Sequence, residues 1–264
     1  LRQGEGVAIF RRLLERSDVL IENFRPGTME EWGLGWKDVH AVNPRLVMLR
    51  VSGYGQTGPY RRRSGFAHIA QAFAGLNYLC GCPGETPVLP GTVPLGDYIA
   101  SLYGAIGILV ALRHRERTGR GQLVDVAIYE AVFRVLEEIA AAYGLHGTVR
   151  EREGAGSFVA CPHGHFRAGD GKWLAIACTT DKMFERLAEA MEQPHLASSG
   201  LYGEQRRRLA ARDTVNQLVG EWVAARPREG VLARCLAHEV PAGELNSIAD
   251  IFDDAHFQAR GNLE

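Results

Sequence analysis

Apolar residues recur at helical spacing in residues 5–17, where Val7, Phe10, Leu13 and Leu14 are separated by arginines. Asp18 then leads into Val19-Leu20-Ile21, read as a short buried strand, and Asn23-Phe24-Arg25-Pro26-Gly27 breaks it. The order repeats with a predicted helix over 36–42 and a strand over 46–51. Alternation of helix with short apolar strand predicts a parallel sheet in an α/β fold. Further helices are predicted over 65–79, 97–117 and 128–143, with a strand over 122–126 between the last two. Residues 98–112 form an uncharged run of fifteen. That falls short of the roughly 18–20 residues of a membrane span, so it reads as a buried helix with no membrane role.

The pattern changes near 144–156, where Gly, His and charged residues cluster as in a linker. Beyond it, Phe166 and residues 173–178 flank Ala168-Gly169-Asp170-Gly171, whose Asp-Gly pair predicts a hairpin. Helices are predicted over 180–191, 213–225 and 228–238. The chain therefore reads as a large α/β domain over 1–147, then a linker and a smaller α+β domain over 148–264.

Composition alters this picture little. A net charge of −1 with 46% apolar and 23% charged residues excludes a disordered chain and gives no global attraction to nucleic acid. Five cysteines without paired CxxC spacing argue against a disulfide scaffold and place the chain in a reducing, cytoplasmic setting. The charge is unevenly spread, however. Residues 39–84 hold no acid but five arginines, Arg45, Arg50, Arg61, Arg62 and Arg63. Such a run is either a solvated loop or a cradle for an anionic ligand, with Phe24, Tyr54, Tyr60 and Phe66 available to pack on a base.

Two motifs are decoys. Gly53-Tyr54-Gly55-Gln56-Thr57-Gly58 matches GxGxxG, yet Pro59, Tyr60 and three arginines follow in place of a helix, and the acid expected about 20 residues on is missing. Cys161, His163 and His165 alternate as on one strand face, but Pro162 and Gly164 interrupt them and no fourth ligand has zinc spacing, so no metal is expected. Neither GxSxG nor a P-loop is present. Asp97 stands apart: it follows Pro94-Leu95-Gly96 and opens the uncharged run. An N-cap, worth about 1 kcal/mol, is one reading. The other is a nucleophile, kept ionised by a helix N-terminus and approachable over Gly96.

Four blocks give the chain a family resemblance: Ser17-Asp18-Val19-Leu20-Ile21-Glu22-Asn23-Phe24-Arg25-Pro26-Gly27; Asn43-Pro44-Arg45-Leu46 running on to Ser52-Gly53-Tyr54-Gly55-Gln56-Thr57-Gly58-Pro59-Tyr60; Gly96-Asp97; and Thr118-Gly119-Arg120-Gly121-Gln122. Together they resemble the class III CoA-transferases, the family of formyl-CoA transferase and the carnitine CoA-transferases. The resemblance covers nearly the whole chain. It implies a Rossmann-like parallel-sheet large domain with a small α+β domain, two chains interlocked as a homodimer, and a CoA thioester as substrate with no tightly bound cofactor. It also implies that Asp97 attacks the thioester to form an aspartyl mixed anhydride. CoA contacts carry over to Asn23, Phe24 and Arg25, with Arg63 and Phe66 from the region bordering them, and substrate contacts to His68 and Tyr98. Ala67 in Gly65-Phe66-Ala67-His68 looks like the subgroup that uses succinyl-CoA with malate or citramalate. The long glycine-rich loop of formyl-CoA transferase is not visible, which disfavours oxalate and formate.

Two rivals follow from the same resemblance. An α-methylacyl-CoA racemase shares the fold and the aspartate but needs a histidine base where Phe66 stands, unless His68 replaces it. A non-catalytic CoA-binding protein would not need Gly96-Asp97. The resemblance also implies that the family extends beyond both ends of this chain, so that 264 residues represent an internal segment.

Overall fold

The computed structural model describes residue 1 and residues 3–263. Helix α1 (Gly4–Leu14) leads to strand β1 (Val19–Glu22), and a left-handed Gly27, at φ 101°, turns the chain into α2 (Thr28–Glu31). Helix α3 (Trp36–Val42) and strand β2 (Val47–Ser52) come next. A long loop then reaches α4 (Ala67–Ala74) and α5 (Leu76–Leu79), and another reaches the 24-residue α6 (Leu95–Thr118). Strand β3 (Leu123–Ala127), α7 (Ile128–Arg134) and α8 (Ile139–His146) complete the first of two compact units, Leu1–Arg152.

Among the described residues of this unit the sheet has three strands, ordered β1-β2-β3 and parallel throughout. The register pairs Glu22 with Arg50 and Arg50 with Asp125. Successive side chains of β2 point to opposite faces. Met48 joins Leu14, Met29, Leu34, Val39 and Leu46 in a core beneath α1, α2 and α3. Leu49 turns the other way onto α6, and Val51 packs with Ala70, Ala100, Ile128 and Ala131 of α4, α6 and α7. Helices thus cover both faces, which is why β2 is apolar along most of its length.

The second unit, Glu153–Glu264, is α+β. Strands β4 (His163–Arg167) and β5 (Trp173–Ala177) form the predicted Asp-Gly hairpin, with Gly171 at φ 82°. Helices α9 (Asp181–Ala190), α10 (Gln205–Ala210), α11 (Arg212–Ala224) and α12 (Arg228–Ala237) follow. Strand β6 (Ala242–Glu244) then pairs antiparallel with β5, and α13 (Ile248–Asp253) and α14 (Ala255–Ala259) end the unit. Its core joins Phe166, Leu174 and Ile176 to Phe184, Leu187, Val219 and Trp222. Arg208 is fully buried at the edge of this core and donates to the carbonyls of Cys161, Tyr202 and Gly203 and to Asp181.

Four expectations from the hydrophobic pattern need correction. The helix expected over 65–79 is broken at Gly75, whose φ of 100° ends α4 in the left-handed C-cap conformation. The helix expected over 128–143 is interrupted between α7 and α8, where Glu137 takes φ 55°. The strand at 19–21 is not buried: among the described residues β1 lies at the sheet edge, Val19 and Leu20 are half-buried, and Ile21 is 61% exposed. The uncharged run in α6 is not enclosed all round. Gly96, Ala100, Gly104 and Ala111 make a narrow buried stripe, while Leu102, Ile106, Leu109 and Val110 are exposed. By length and composition alone α6 is long and apolar enough to cross a membrane.

Candidate active site

The carboxyl ends of β1 and β2 and the first turn of α6 border one cleft of about 670 Å³ within the first unit. The end of a parallel sheet, beyond the carboxyl ends of its strands, is where α/β folds place ligands. Of the residues singled out from sequence, Asn23, Phe24, Arg25, Arg63, Phe66 and Asp97 all line this cleft, although they are drawn from segments up to 74 positions apart. His68 and Tyr98 lie outside the lining, both exposed. Helical geometry accounts for Tyr98. Asp97 and Ser101, four apart, share the cleft face of α6, and Tyr98 is turned about 100° from it.

Asp97 is the third residue of α6, behind Pro94 at the cap, so it does not fill the N-cap position. Its own N–H donates to the Pro94 carbonyl at 3.0 Å. Among the described residues no donor reaches its side chain, and the carboxylate stands free at the cleft wall. Desolvation by the surrounding walls raises its pKa above the ordinary aspartate value, so the helix N-terminus does not dominate here. Gly96 brings it in close. A Cβ there would lie 2.9 Å from Ile128 Cγ2 and 3.3 Å from the Ala67 carbonyl oxygen. The Gly96 N–H donates at 3.3 Å to Oε1 of Gln71, a buried glutamine on α4 that the sequence did not single out.

The opposite wall is a bundle of loops. Gly53 and Gly65 let two backbones touch, since a Cβ on Gly53 would sit 2.9 Å from the Gly65 Cα. Arg25 donates to Ser64 across the cleft rim, and Phe24 stacks edge to face on Trp32 at 5.1 Å. Phe66 is 77% exposed. An apolar ring held out on a loop beside arginines is a surface suited to a flat, anionic ligand.

The cationic run 39–84 divides on folding. Arg61 and Arg63 line the cleft, and Arg63 also covers the Tyr60 ring at 3.5 Å. Arg50 is withdrawn from any ligand, being buried at 3% exposure and paired with Glu22 and Glu30. Those acids lie outside 39–84, so counting charge within that window overstated what was free. Tyr54 and Tyr60 pack with Phe73 and Tyr129 at ring separations of 5.1–6.1 Å, away from the cleft lining. The glycine-rich stretch 53–58 runs into turns, and the next helix after it begins only at Ala67.

In the second unit Cys161, Cys178 and Cys235 are buried thiols, pushed up by burial to about 11, about 12 and about 11. None is poised as a nucleophile. Among the described residues no group of three or more His, Cys, Asp or Glu side chains is placed to hold a metal ion.

The sequence model of CoA-transferase family III matches residues 1–264. The chain is 75% identical over 263 residues to the succinyl-CoA–L-malate CoA-transferase alpha subunit of Chloroflexus aurantiacus, covering 100% of this chain and 61% of that protein. It is 57% identical over 264 residues to the beta subunit from the same organism, covering 100% of this chain and 65% of that subunit. The crystal structure of a CAIB/BAIF family protein from Brucella suis superposes with a TM-score of 0.85 at 34% identity, covering 98% of this chain and 68% of that one. Rv3272 from Mycobacterium tuberculosis gives the same TM-score at 25% identity, covering 98% and 68%. The chain thus spans about three fifths of the length of the curated relatives it matches. With the family pattern running from its first residue to its last, the chain belongs to CoA-transferase family III.

Proposed function

We propose that this chain forms the CoA-binding and acyl-accepting part of a CoA-transferase that moves CoA from succinyl-CoA to a small carboxylic acid. The observation that carries the reading is Asp97: an unpartnered carboxylate in the same cleft as Asn23, Phe24, Arg25, Arg63 and Phe66. Arg25, Arg61 and Arg63 offer cations for phosphates, and Phe24 and Phe66 offer faces for a base. Relatives named for succinyl-CoA with malate, citramalate or mesaconate support succinyl-CoA as the donor.

The chemistry follows from the carboxylate. An Asp97 oxygen attacks the thioester carbonyl, the C–S bond breaks, CoA leaves as thiolate, and the acyl group remains on Asp97 as a mixed anhydride. The anhydride preserves the activation of the thioester, so exchange with the incoming carboxylate and return of the thiolate give a new thioester and free the first acid. A raised aspartate pKa suits this role, since a desolvated carboxylate is a stronger nucleophile.

Trapping turnover with hydroxylamine should leave an aspartyl hydroxamate at residue 97, read by mass spectrometry. An active enzyme without that label would sink the mechanism. A racemase would instead exchange the α-proton of a 2-methylacyl-CoA and need no acceptor acid. Phe66 has no proton to exchange and His68 does not line the cleft, which favours transfer. Retention of a free carboxylate argues against a purely binding role.

The exposed apolar face of α6 supports burial against a second subunit, as in the interlocked homodimer that the resemblance implies. Relatives named as alpha and beta subunits support a partner of this same family in place of an identical copy. Light scattering of the full chain, alone and mixed with its family partner, separates these two outcomes.

A further inference from the structure

Beside the cleft lies an ion triad in which Glu22 reaches the lining while Arg50 and Glu30 stand behind it. Arg50 Nε donates to Glu22 Oε1 at 2.5 Å, and its two terminal nitrogens fork onto Glu30, at 2.6 Å to Oε1 and 3.2 Å to Oε2. The second oxygen of Glu22 accepts the Phe24 N–H at 2.7 Å. Glu22 ends β1 and is 5% exposed, whereas Glu30 lies on α2 with its side chain half exposed. The hydrogen bond from Arg50 holds the Glu30 carboxyl below its ordinary range.

The placement of these contacts matters more than their strength. The cleft-lining residues Asn23, Phe24, Arg25 and Pro26 form a short bridge between Glu22 and α2. One guanidinium grips both ends of that bridge, through Glu22 before it and Glu30 after it. Glu22 passes the constraint on to the Phe24 backbone. Phe24 in turn rests on Trp32 at the end of α2. A buried ion pair is a poor source of stability compared with a well-packed apolar side chain, and the neighbours of Arg50 on β2 are apolar. Retaining a cation here makes sense if it fixes geometry.

We propose that Arg50 is a positioning residue that sets the 22–27 segment in its ligand-ready shape, so that it governs affinity for the CoA thioester more than the acyl-transfer step. The proposal rests on the reading of the cleft as a CoA site. It also explains why arginine is required, because a lysine ammonium cannot serve three carboxylate oxygens on two separate elements in one planar fork.

The test uses the full chain with Arg50→Lys and, as a milder second variant, Glu30→Gln, which alters a half-exposed side chain outside the cleft lining. Coenzyme A binding is read by calorimetry, KM for succinyl-CoA and kcat by steady-state kinetics, and backbone order by hydrogen exchange over residues 22–27. Arg50→Lys is expected to weaken coenzyme A and raise KM by about 10-fold, with a smaller fall in kcat, and to speed exchange in that segment. Glu30→Gln should move the same quantities the same way by less. Unchanged coenzyme A affinity and KM in both variants, with only a lowered melting temperature, would overturn the positioning role. A wild-type chain that fails to bind coenzyme A, or whose binding ignores Phe66→Ala, would remove the site reading and the proposal with it. Faster exchange alone would not rescue either.

Discussion

Replacing Gly96 by alanine sets two effects of similar size against each other. Alanine is favoured over glycine in a helix by about 1 kcal/mol, which alone would stabilise α6. The added Cβ, however, would stand 2.9 Å from Ile128 Cγ2 and 3.3 Å from the Ala67 carbonyl oxygen. Carbon atoms rest about 3.5–4.0 Å apart, so the first contact is short by about 0.6 Å or more. Ile128 is β-branched and stiff at χ1, and the second obstacle is backbone, so neither yields cheaply. Overpacking of this kind costs about 1–3 kcal/mol, which outweighs the helix gain. Relief requires the first turn of α6 to shift by about 0.5 Å, and Asp97, the next residue, shifts with it. Gly96→Ala is therefore expected to lower stability by about 1 kcal/mol and kcat by about 10-fold or more, since small misplacements of a reacting group are costly. Thermal unfolding and the rate of CoA transfer from succinyl-CoA are the assays. A variant with a raised melting temperature and wild-type kcat would show that the wall behind Asp97 is not tight, and the reasoning would fail.

Three further outcomes are expected. Desolvation raises the folded pKa of Asp97 above its unfolded value, so this group favours folding below the unfolded pKa and loses that contribution as pH rises through the folded one. Asp97→Asn should thus abolish transfer and raise the melting temperature at neutral pH, with the stability gain vanishing in acid, and the acid limb of kcat/KM should lie above the ordinary aspartate range. Arg208→Met should destabilise the second unit by about 3–5 kcal/mol in urea titrations, because three carbonyls and Asp181 lose a buried donor. In a native thiol titration the exposed Cys82 should react first, while Cys161, Cys178 and Cys235 should react only on unfolding, and fast labelling of those three would contradict their burial.

The chain's own pattern was enough to place the helix–strand alternation of the first unit and the hairpin of the second. These elements are read correctly because their apolar spacing is local: α3 and β2 fall within a residue of where periodicity puts them. The motif blocks likewise carried the family, and Asn23, Phe24, Arg25, Arg63, Phe66 and Asp97, the residues they point to, line one cleft in the fold. What the sequence could not carry was every quantity that depends on a distant partner. Gly75 and Glu137 break helices through backbone conformations that hydrophobic spacing does not record. Arg50 counts as a free cation in a linear window and becomes an internal lock only when β1 and α2 deliver Glu22 and Glu30 to it. Gln71 gives no signal in the sequence until α4 brings it to the Gly96 N–H. The run along α6 specifies a helix, yet which stripe is buried and which is left bare is settled by where the sheet lies. Local spacing fixes the backbone's short-range preferences. Charge pairing, desolvation and exposure are properties of neighbours, and neighbours exist only once the chain has folded.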